Sequence, residues 1–286
     1  MKKIKKNKYG YNYIYPIPKK KILDDYYKNK YFKVNLSYKN KLRTEEENYH
    51  KCMALSKIFM LNKKIKKLDK KNLLDLGAGK GTFLSNIKNH FKSCLGVDFS
   101  LENLVKKNKS KIKFVSMSPE NFIEKDLKKY DVITLNNVLE HVPDPINFMK
   151  TLKKNIKKNA YIIMTLPNDF SDLQKETNQR VKRKNYWLCP PEHLNYFNKK
   201  SFIYFSNKIG FKVIDAISDF PIELFLLKKD FDYTRNPKIG KKIHLLRCEI
   251  MTYFKKNHSI KNIYDFLKII YELNIGRDNT YLIKKI

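Results

Sequence analysis

Short apolar runs alternate with stretches of helical periodicity along most of the chain. The runs predict seven strands, which cover residues 73–76, 93–98, 112–116, 131–135, 160–166, 211–215 and 280–283. Between most of these runs, apolar residues recur every three or four positions, which is typical of helices that bury one face. Strands that alternate with helices favour a largely parallel sheet with helices on both of its faces. The pattern therefore predicts an α/β fold with a seven-stranded sheet.

The predicted helices begin ahead of the first strand. Residues 44–68 carry an apolar stripe, and Thr44 followed by three glutamates suits an N-cap with an acidic first turn. Further helices are predicted over residues 83–90, from near Leu101, and over residues 200–208. The segment 218–277 separates the last two strands and carries two more apolar stripes, which predict a helical insertion near the C-terminus. The members of these stripes are Ile243, Leu246, Ile250 and Phe254, then Ile263, Phe266, Leu267 and Ile270.

These elements divide the chain into four parts. A basic, tyrosine-rich N-terminal arm covers residues 1–43, and the core covers residues 44–217. Residues 218–277 form a helical cap on the substrate side, and residues 278–286 supply the final strand of the core sheet. Prolines interrupt any helix in the arm, which leaves a disordered arm and a partly ordered cover as alternatives.

Composition excludes several classes of protein. Hydrophobic residues make up 42% of the chain, as in ordinary globular proteins, and no apolar run approaches the ~18 residues of a membrane span. The four cysteines are widely separated and form no C-x-x-C pair, which argues against a zinc module and a disulfide framework. The N-terminus shows no signal-peptide pattern. We therefore expect a cytoplasmic protein.

The net charge of +33 would ordinarily indicate a nucleic-acid or membrane-surface partner. Only six of the 61 basic residues are arginine, however, and arginine is the side chain whose fork best recognises phosphates and base edges. Lysine with abundant Asn, Ile and Tyr is typical of an AT-rich genome. We therefore expect a small-molecule or glycan partner and no nucleic acid, and the oligomeric state stays open.

A glycine-rich turn follows the first predicted strand. Its three glycines, at alternate positions, suit a backbone that turns sharply and lets a ligand approach closely; they are Gly77, Gly79 and Gly81. The dinucleotide-binding pattern needs its third glycine one position later, where this chain has Thr82. The carboxylate of Asp75, beside the turn, would repel a diphosphate and attract an amino group. Both departures favour S-adenosylmethionine, which contains no phosphate.

A second acid, Asp98, ends the next predicted strand 21 positions after Gly77, where it can accept both ribose hydroxyls. The turn and this acid resemble those of class I S-adenosylmethionine-dependent methyltransferases, whose sheet is Rossmann-like and seven-stranded. Three later segments extend the resemblance to the branch found in bacterial polysaccharide and glycan biosynthesis. These are residues 166–170, residues 190–197, and the tail with His244, Arg247, Gly276 and Arg277.

The resemblance implies which residues hold the cofactor. They are Asp75, Gly77, Ala78, Gly79, Gly81, Asp98, Phe99, Ser118, Pro119 and Asn136. Family members carry an acid after the third strand, where this chain has Ser118, so we expect backbone groups to recognise the adenine there. The helix over residues 44–68 is expected either to close over the cofactor or only to pack on the sheet.

Transfer to a hydroxyl requires that the acceptor be oriented and lose a proton. His141 and His193 are the candidate bases because imidazole titrates near neutral pH, and Glu140 is expected to orient one of them. Asn137, Glu140 and His141 have the spacing of one helical face. With His193 they resemble the metal site of small-RNA 2′-O-methyltransferases and ubiquinone-pathway O-methyltransferases, which have an acid in place of Asn137. We expect no metal, and a divalent ion stays an alternative.

The sequence thus predicts a methyltransferase that moves a methyl group from S-adenosylmethionine to oxygen on a sugar, nucleotide-sugar or surface glycan precursor. The irregular aromatic segment 168–200, which contains Trp187, is expected either to contact a sugar face or to pack as part of a cover. Two alternatives remain. One is an O-methyltransferase for RNA or a quinone-type small molecule, and the other is a cofactor-binding subunit without catalysis of its own.

Overall fold

A computed structural model describes residues 3–26, 43–99, 111–183 and 185–286, so the helix predicted near Leu101 lies outside the described residues. The strands are β1 (Lys3–Lys6), β2 (Asn12–Tyr15), β3 (Asn72–Leu76), β4 (Ser93–Asp98), β5 (Ile112–Ser116), β6 (Val132–Asn136), β7 (Tyr161–Pro167), β8 (Asn195–Tyr196), β9 (Phe211–Ser218) and β10 (Asp278–Lys285). The α-helices are α1 (Lys20–Asp25), α2 (Thr44–Asn62), α3 (Thr82–Ile87), α4 (Pro119–Phe122), α5 (Pro145–Asn155), α6 (Asp172–Val181), α7 (Lys199–Ile209), α8 (Pro237–Asn257) and α9 (Ile260–Glu272). Short 3₁₀ turns cover 68–70, 88–90, 139–141, 222–227 and 229–231.

Seven strands form one sheet in the order β5-β4-β3-β6-β7-β10-β9. The first five of these run parallel, and β10 is antiparallel to both of its neighbours. The start of β10 therefore meets the ends of β7 and β9, since Asp278 pairs with Pro167 and Asn279 pairs with Ser218. All seven predicted strands are present, and the predicted α/β, Rossmann-like fold is confirmed.

Both faces of the central strands are buried, which explains why these strands read as continuous apolar runs. In β3, Leu74 packs in the cluster on one face of the sheet and Leu73 in the cluster on the other. In β6, Ile133 and Val132 divide in the same way. Successive strand side chains point to opposite faces, so each apolar run contributes to two cores.

Helix α2 is shorter than predicted and begins differently. It ends at Asn62, and the N–H of Lys64 donates to the carbonyl of Leu61 at 2.8 Å in a tightened last turn. At its start Arg43, and not Thr44, is the N-cap residue. The carboxylate of Glu46 accepts a hydrogen bond from the Arg43 backbone N–H at 2.9 Å, which satisfies a donor that the helix leaves unpaired.

The helical insertion is present as α8 and α9, which pack against α2. Near the other terminus, β1 and β2 form a hairpin that joins β8 in a second, three-stranded sheet. Within the described residues, no helix combines the length and apolar character needed to cross a membrane.

Part of the segment predicted to be irregular is helical. Helix α6 begins after Ser171, whose side chain accepts the backbone N–H of Gln174 at 3.3 Å. The aromatic residues that follow are buried: Trp187 is 4% exposed and Tyr196 is 1% exposed, and both pack with Ile14 of the hairpin. Their rings are covered, which favours the packing alternative for these two residues.

Candidate active site

A cavity of about 430 Å³ lies at the carboxyl ends of the parallel strands. Its walls come from the glycine-rich turn, the ends of β3, β6 and β7, the start of β10, and two helices, α2 and α8. In an open α/β sheet this edge is where ligands bind, because the connecting loops diverge there. Helix α2 lines the cavity along one side, and its closing over a cofactor stays a prediction.

Two positions of the glycine-rich turn require glycine, both for the backbone conformation and for the space around the Cα atom. Gly77 has φ of 74°, and a Cβ there would overlap the Cγ2 of Val138. Gly81 has φ of 71°, and a Cβ there would lie 2.7 Å from the ring of Phe114. Substitution at either position is therefore opposed by the backbone conformation and by the space available.

The turn is held against β4 by backbone hydrogen bonds. The N–H groups of Gly77 and Ala78 donate to the carbonyl of Val97 at 2.8 and 3.0 Å. The N–H of Gly79 donates to the carboxylate of Asp98 at 2.8 Å, which places this acid directly beside the turn. The position of Asp98 at the end of β4 is the one that the sequence predicts for the ribose contact.

The predicted cofactor residues divide into two groups. Five of them line the cavity: Asp75, Gly77, Ala78, Gly79 and Asn136. The other five lie outside the lining of the cavity in the part of the chain that the structure describes: Gly81, Asp98, Phe99, Ser118 and Pro119. Ser118 uses its hydroxyl to cap α4, where it accepts the backbone N–H of Asn121 at 3.1 Å.

Polar side chains form a row across the carboxyl edge of the sheet. Asp75 accepts hydrogen bonds from the hydroxyl of Thr134 at 2.6 Å and from the amide nitrogen of Asn136 at 3.4 Å. Thr165, on the next strand, contacts the hydroxyl of Thr280 at 2.9 Å. Burial raises the pKa of Asp75 to about 7, so its carboxyl titrates near neutral pH.

Lys57 of α2 reaches this row and is not among the residues predicted from the sequence. Its ammonium donates to the amide oxygen of Asn136 at 2.5 Å and to the hydroxyl of Thr165 at 2.8 Å. Burial lowers its pKa to about 8. The available signal was its place on the buried face of α2, three residues after Ala54 and four before Leu61.

The opposite end of the cavity contains an ion pair. Arg247 of α8 lies 3.3 Å from a carboxylate oxygen of Asp219, which also accepts the hydroxyl of Tyr49 at 3.2 Å. The second oxygen of Asp219 accepts the backbone N–H of Asp278 at 2.8 Å. Burial, with the nearby Asp278 carboxylate, raises the pKa of Asp219 to about 7. His50 also lines this cavity, and burial lowers its pKa.

The predicted catalytic residues come together beside the cavity. Ligand atoms of Glu140, His141 and His193 lie within 4.8 Å of one another, and Asn137, which lines the cavity, lies close to Glu140. The structure corrects how they are arranged: residues 139–141 form a single 3₁₀ turn, and Asn137 before it has φ of 54°. Glu140, His141 and His193 do not line the cavity among the described residues.

Burial sets the charge of this cluster. It raises the pKa of Glu140, lowers that of His141 to about 4, and lowers that of His193 well below its ordinary value. The Nδ1 atom of His141 lies 2.7 Å from the carbonyl oxygen of Glu192. The Nδ1 atom of His193 is buried without a hydrogen-bond partner among the described residues. Two imidazoles and a carboxylate at this spacing are a donor set that suits zinc, manganese or iron(II).

Part of this chain is similar in sequence to curated O-methyltransferases. The ubiquinone biosynthesis O-methyltransferase of Pelagibacter ubique (strain HTCC1062) is 36% identical over 118 residues, which cover 39% of this chain and 48% of that protein. The namesake from Coxiella burnetii (strain Dugway 5J108-111) is 24% identical over 191 residues, 59% of this chain and 74% of that protein. The chain thus spans about half the length of the first curated relatives it matches.

A solved structure and a family model extend the comparison. A SAM-dependent methyltransferase from Archaeoglobus fulgidus shares the fold, with a TM-score of 0.52 and 17% identity over 90% of this chain and all of that one. The methyltransferase domain model matches residues 46–216, which is more than half of the chain. The prediction of a class I methyltransferase is therefore confirmed at the level of the family, whereas the glycan-biosynthesis branch finds no support among these relatives. The chain belongs to the methyltransferase domain family.

Proposed function

We propose that this protein transfers the methyl group of S-adenosylmethionine to an oxygen of a hydroxylated small molecule. The observation that carries the proposal is the pair formed by Asp75 and Lys57, which lie on either side of the Asn136 amide beside the glycine-rich turn. The negative carboxylate of Asp75 complements the ammonium of an amino acid, and the positive ammonium of Lys57 complements its carboxylate. A turn that requires glycine next to an amino-acid site suits a cofactor with a nucleoside at one end and methionine at the other.

The remaining cofactor contacts follow from this placement. The methionine ammonium binds Asp75 and the methionine carboxylate binds Lys57. The ribose hydroxyls donate to the Asp98 carboxylate. In the ligand-free protein this carboxylate accepts the N–H of Gly79, and the hydroxyls take the place of that hydrogen bond. The adenine lies toward Phe99, Ser118 and Pro119. The sulfonium methyl then projects over Asn136 and Thr165 toward the free half of the cavity.

The reaction is an in-line displacement at carbon. The acceptor oxygen forms a bond to the methyl carbon, the carbon–sulfur bond breaks, and sulfur keeps the electron pair as a neutral thioether. The hydroxyl proton must pass to a base, which commonly contributes about 10²- to 10⁴-fold to the rate. His50 lines the cavity and is neutral at neutral pH because burial lowers its pKa, so it is the base that the geometry favours. His141 and His193, with Glu140 orienting His141, remain the bases that the sequence predicts.

The acceptor that we propose is of the quinone-precursor type, a hydroxylated ring, and not a sugar. Two observations support this choice. Curated relatives from three bacterial genera are named ubiquinone biosynthesis O-methyltransferases. The cavity is lined by Tyr49, Met53 and Phe83, whose apolar surfaces suit a planar ring, whereas the aromatic residues expected to face a sugar are buried elsewhere.

A metal fits the donor set of Glu140, His141 and His193, whose ligand atoms converge and include the unpartnered Nδ1 of His193. A bound ion would act as a Lewis acid that lowers the pKa of an acceptor hydroxyl. The three residues would hold it behind Asn137. The reaction proposed above uses groups that line the cavity and requires no such ion.

Calorimetry and an isotope assay test the proposal. Wild-type protein should bind S-adenosylmethionine, and Asp98→Ala should lose cofactor affinity without unfolding. Labelled cofactor should then transfer its methyl group to a benzene-1,2-diol and not to a panel of sugars and nucleotide-sugars. Unchanged affinity in Asp98→Ala would contradict the cofactor site. Cofactor binding without turnover on any acceptor, including RNA, would instead favour the subunit without catalysis of its own.

A further inference from the structure

Arg247 lies outside residues 46–216, the part of the chain that the family model matches. It projects from α8 into the cavity that the cofactor site shares. Only 12% of its side-chain surface is exposed. A guanidinium that is almost buried in a ligand cavity must satisfy up to five N–H donors from the groups around it.

The protein satisfies only part of this capacity. One Nη atom contacts Asp219 at 3.3 Å, and the other donates to the Nδ1 atom of His244 at 2.7 Å. The guanidinium carbon lies 4.6 Å from the centre of the Tyr49 ring, which covers one of its faces. The Nε–H group is buried and has no hydrogen-bond partner among the described residues. A buried donor without an acceptor is costly, which indicates that a ligand supplies the acceptor.

Asp219 is an incomplete counter-charge for Arg247. Its two oxygens also accept the Tyr49 hydroxyl and the Asp278 backbone N–H, and its carboxyl titrates near neutral pH. His244 accepts from Arg247 through Nδ1, and its Nε2 lies 3.2 Å from the carboxylate of Glu46. Burial lowers the pKa of the imidazole, so the ring is neutral at neutral pH and does not itself offset the guanidinium.

The balance of charges around the cavity also indicates a negatively charged ligand. Among the described residues that line it, the basic side chains are Lys57, Lys80 and Arg247, and the acidic ones are Asp75, Asp219 and Asp278. These cancel when all are ionised. Bound S-adenosylmethionine would add one net positive charge, because its ammonium and carboxylate cancel and its sulfonium remains. An acceptor with one negative charge would restore neutrality in a partly buried site, where an uncompensated charge is expensive.

We infer that the methyl acceptor carries a carboxylate and that Arg247 binds it. This inference rests on the proposed function, because Lys57 must be occupied by the methionine carboxylate for Arg247 to serve the acceptor. The planar fork of arginine, with Nε and one Nη on the same edge, matches the two oxygens of a carboxylate. Arg247 is a binding residue that selects the acceptor and takes no part in proton transfer.

Matched probes test the inference by direct binding. The wild-type protein is saturated with sinefungin, an unreactive cofactor analogue whose additional ammonium carries the positive charge of the sulfonium. It is then titrated with 3,4-dihydroxybenzoate and with 3,4-dihydroxybenzamide, which has the same shape and no charge. The benzoate should bind about tenfold or more tightly than the benzamide. Arg247→Met should abolish this preference and Arg247→Lys should keep part of it. Lys242→Met, at an exposed position on the same helix, is the control and should behave as wild type.

Cofactor binding separates the two ways in which the inference can fail. A wild-type protein that does not bind S-adenosylmethionine contradicts the proposed function itself. A wild-type protein that binds the cofactor but shows no preference for the benzoate, or binds neither probe, contradicts the role of Arg247 alone. If Arg247→Met loses cofactor affinity and keeps the acceptor preference, then Arg247 binds the methionine carboxylate. If Arg247→Met loses both probes equally together with thermal stability, its role is structural.

Discussion

Lys57 and Asp75 contact opposite ends of one amide group. The amide oxygen of Asn136 accepts from the Lys57 ammonium at 2.5 Å, and the amide nitrogen donates to the Asp75 carboxylate at 3.4 Å. The amide therefore separates the two charges and keeps them from forming a direct ion pair. Both side chains line the cavity, and this arrangement is the basis of the next two predictions.

Replacing Lys57 should weaken cofactor binding in a way that depends on charge. In Lys57→Met the methionine carboxylate loses a charged hydrogen bond worth about 1.5–3 kcal/mol, so the dissociation constant should rise roughly 10- to 100-fold. Lys57→Arg should retain most of the affinity because it retains the charge. Lys51→Met, at an exposed position on the same helix, is the matched control for calorimetry. Equal affinities for Lys57→Met and wild type would remove Lys57 from the cofactor site.

Cofactor affinity should fall in acid as Asp75 becomes protonated. Its pKa in the ligand-free protein is raised to about 7, so the carboxylate that binds the ammonium is lost as pH falls through this value. The dissociation constant, measured by calorimetry from pH 7.5 to 5.5, should increase toward tenfold per pH unit at the acid end. Asp75→Asn should bind more weakly at pH 7.5 and lose this dependence.

The control for this pH series is Asp219→Asn. The pKa of Asp219 is also raised to about 7, but Asp219 lies beside Arg247 at the other end of the cavity. In Asp219→Asn the cofactor dissociation constant should therefore still rise as pH falls. The opposite result would be a pH dependence that disappears in Asp219→Asn and persists in Asp75→Asn. The methionine ammonium would then bind beside Asp219, and the proposed orientation of the cofactor would be reversed.

Substitution of His50 should separate catalysis from cofactor binding. If His50 accepts the acceptor proton, His50→Gln should lower kcat about 10²- to 10⁴-fold, with the cofactor dissociation constant unchanged. The residual rate of His50→Gln should rise with pH, because hydroxide then replaces the missing base. His258→Gln, at an exposed position, serves as the control. A normal kcat in His50→Gln, together with a large loss of kcat in His141→Gln or His193→Gln, would show that His141 or His193 is the base.

Removal of metal should leave turnover unchanged, because the groups that line the cavity suffice for the proposed reaction. The protein would be treated with a chelator, assayed, and examined for bound zinc, manganese and iron by mass spectrometry. Glu140→Gln should likewise leave any metal content unchanged. Loss of activity on chelation that is restored by one ion, and a metal content that falls in Glu140→Gln, would assign the ion to Glu140, His141 and His193.

The contrast between Gly77 and Lys57 explains how far the sequence could predict this site. A positive φ that excludes a Cβ is a local requirement, so the glycine spacing predicted the turn. The nucleoside contact of Asp98 stays a prediction. Lys57 is one of many lysines. Its spacing places it on the buried face of α2, but its contacts depend on how α2 packs against the ends of β6 and β7, and this packing joins segments that are distant in the sequence. Trp187 is a similar case. Its ring is covered by the N-terminal hairpin, a contact between segments more than 150 residues apart in the sequence.

The fit between Gly77 and Val138 gives a last prediction, which concerns stability. Gly77→Ala places a Cβ against Val138 Cγ2 at φ of 74°, so it should destabilise the fold by about 1–3 kcal/mol and weaken cofactor binding. Val138→Ala alone should cost about 1 kcal/mol through the cavity that it leaves. In the double variant the overlap is gone, so the free energy of unfolding, measured by denaturant titration, should exceed the additive value by roughly 0.5–2 kcal/mol. Additivity within experimental error would show that backbone conformation alone, and not the contact with Val138, requires glycine at this position.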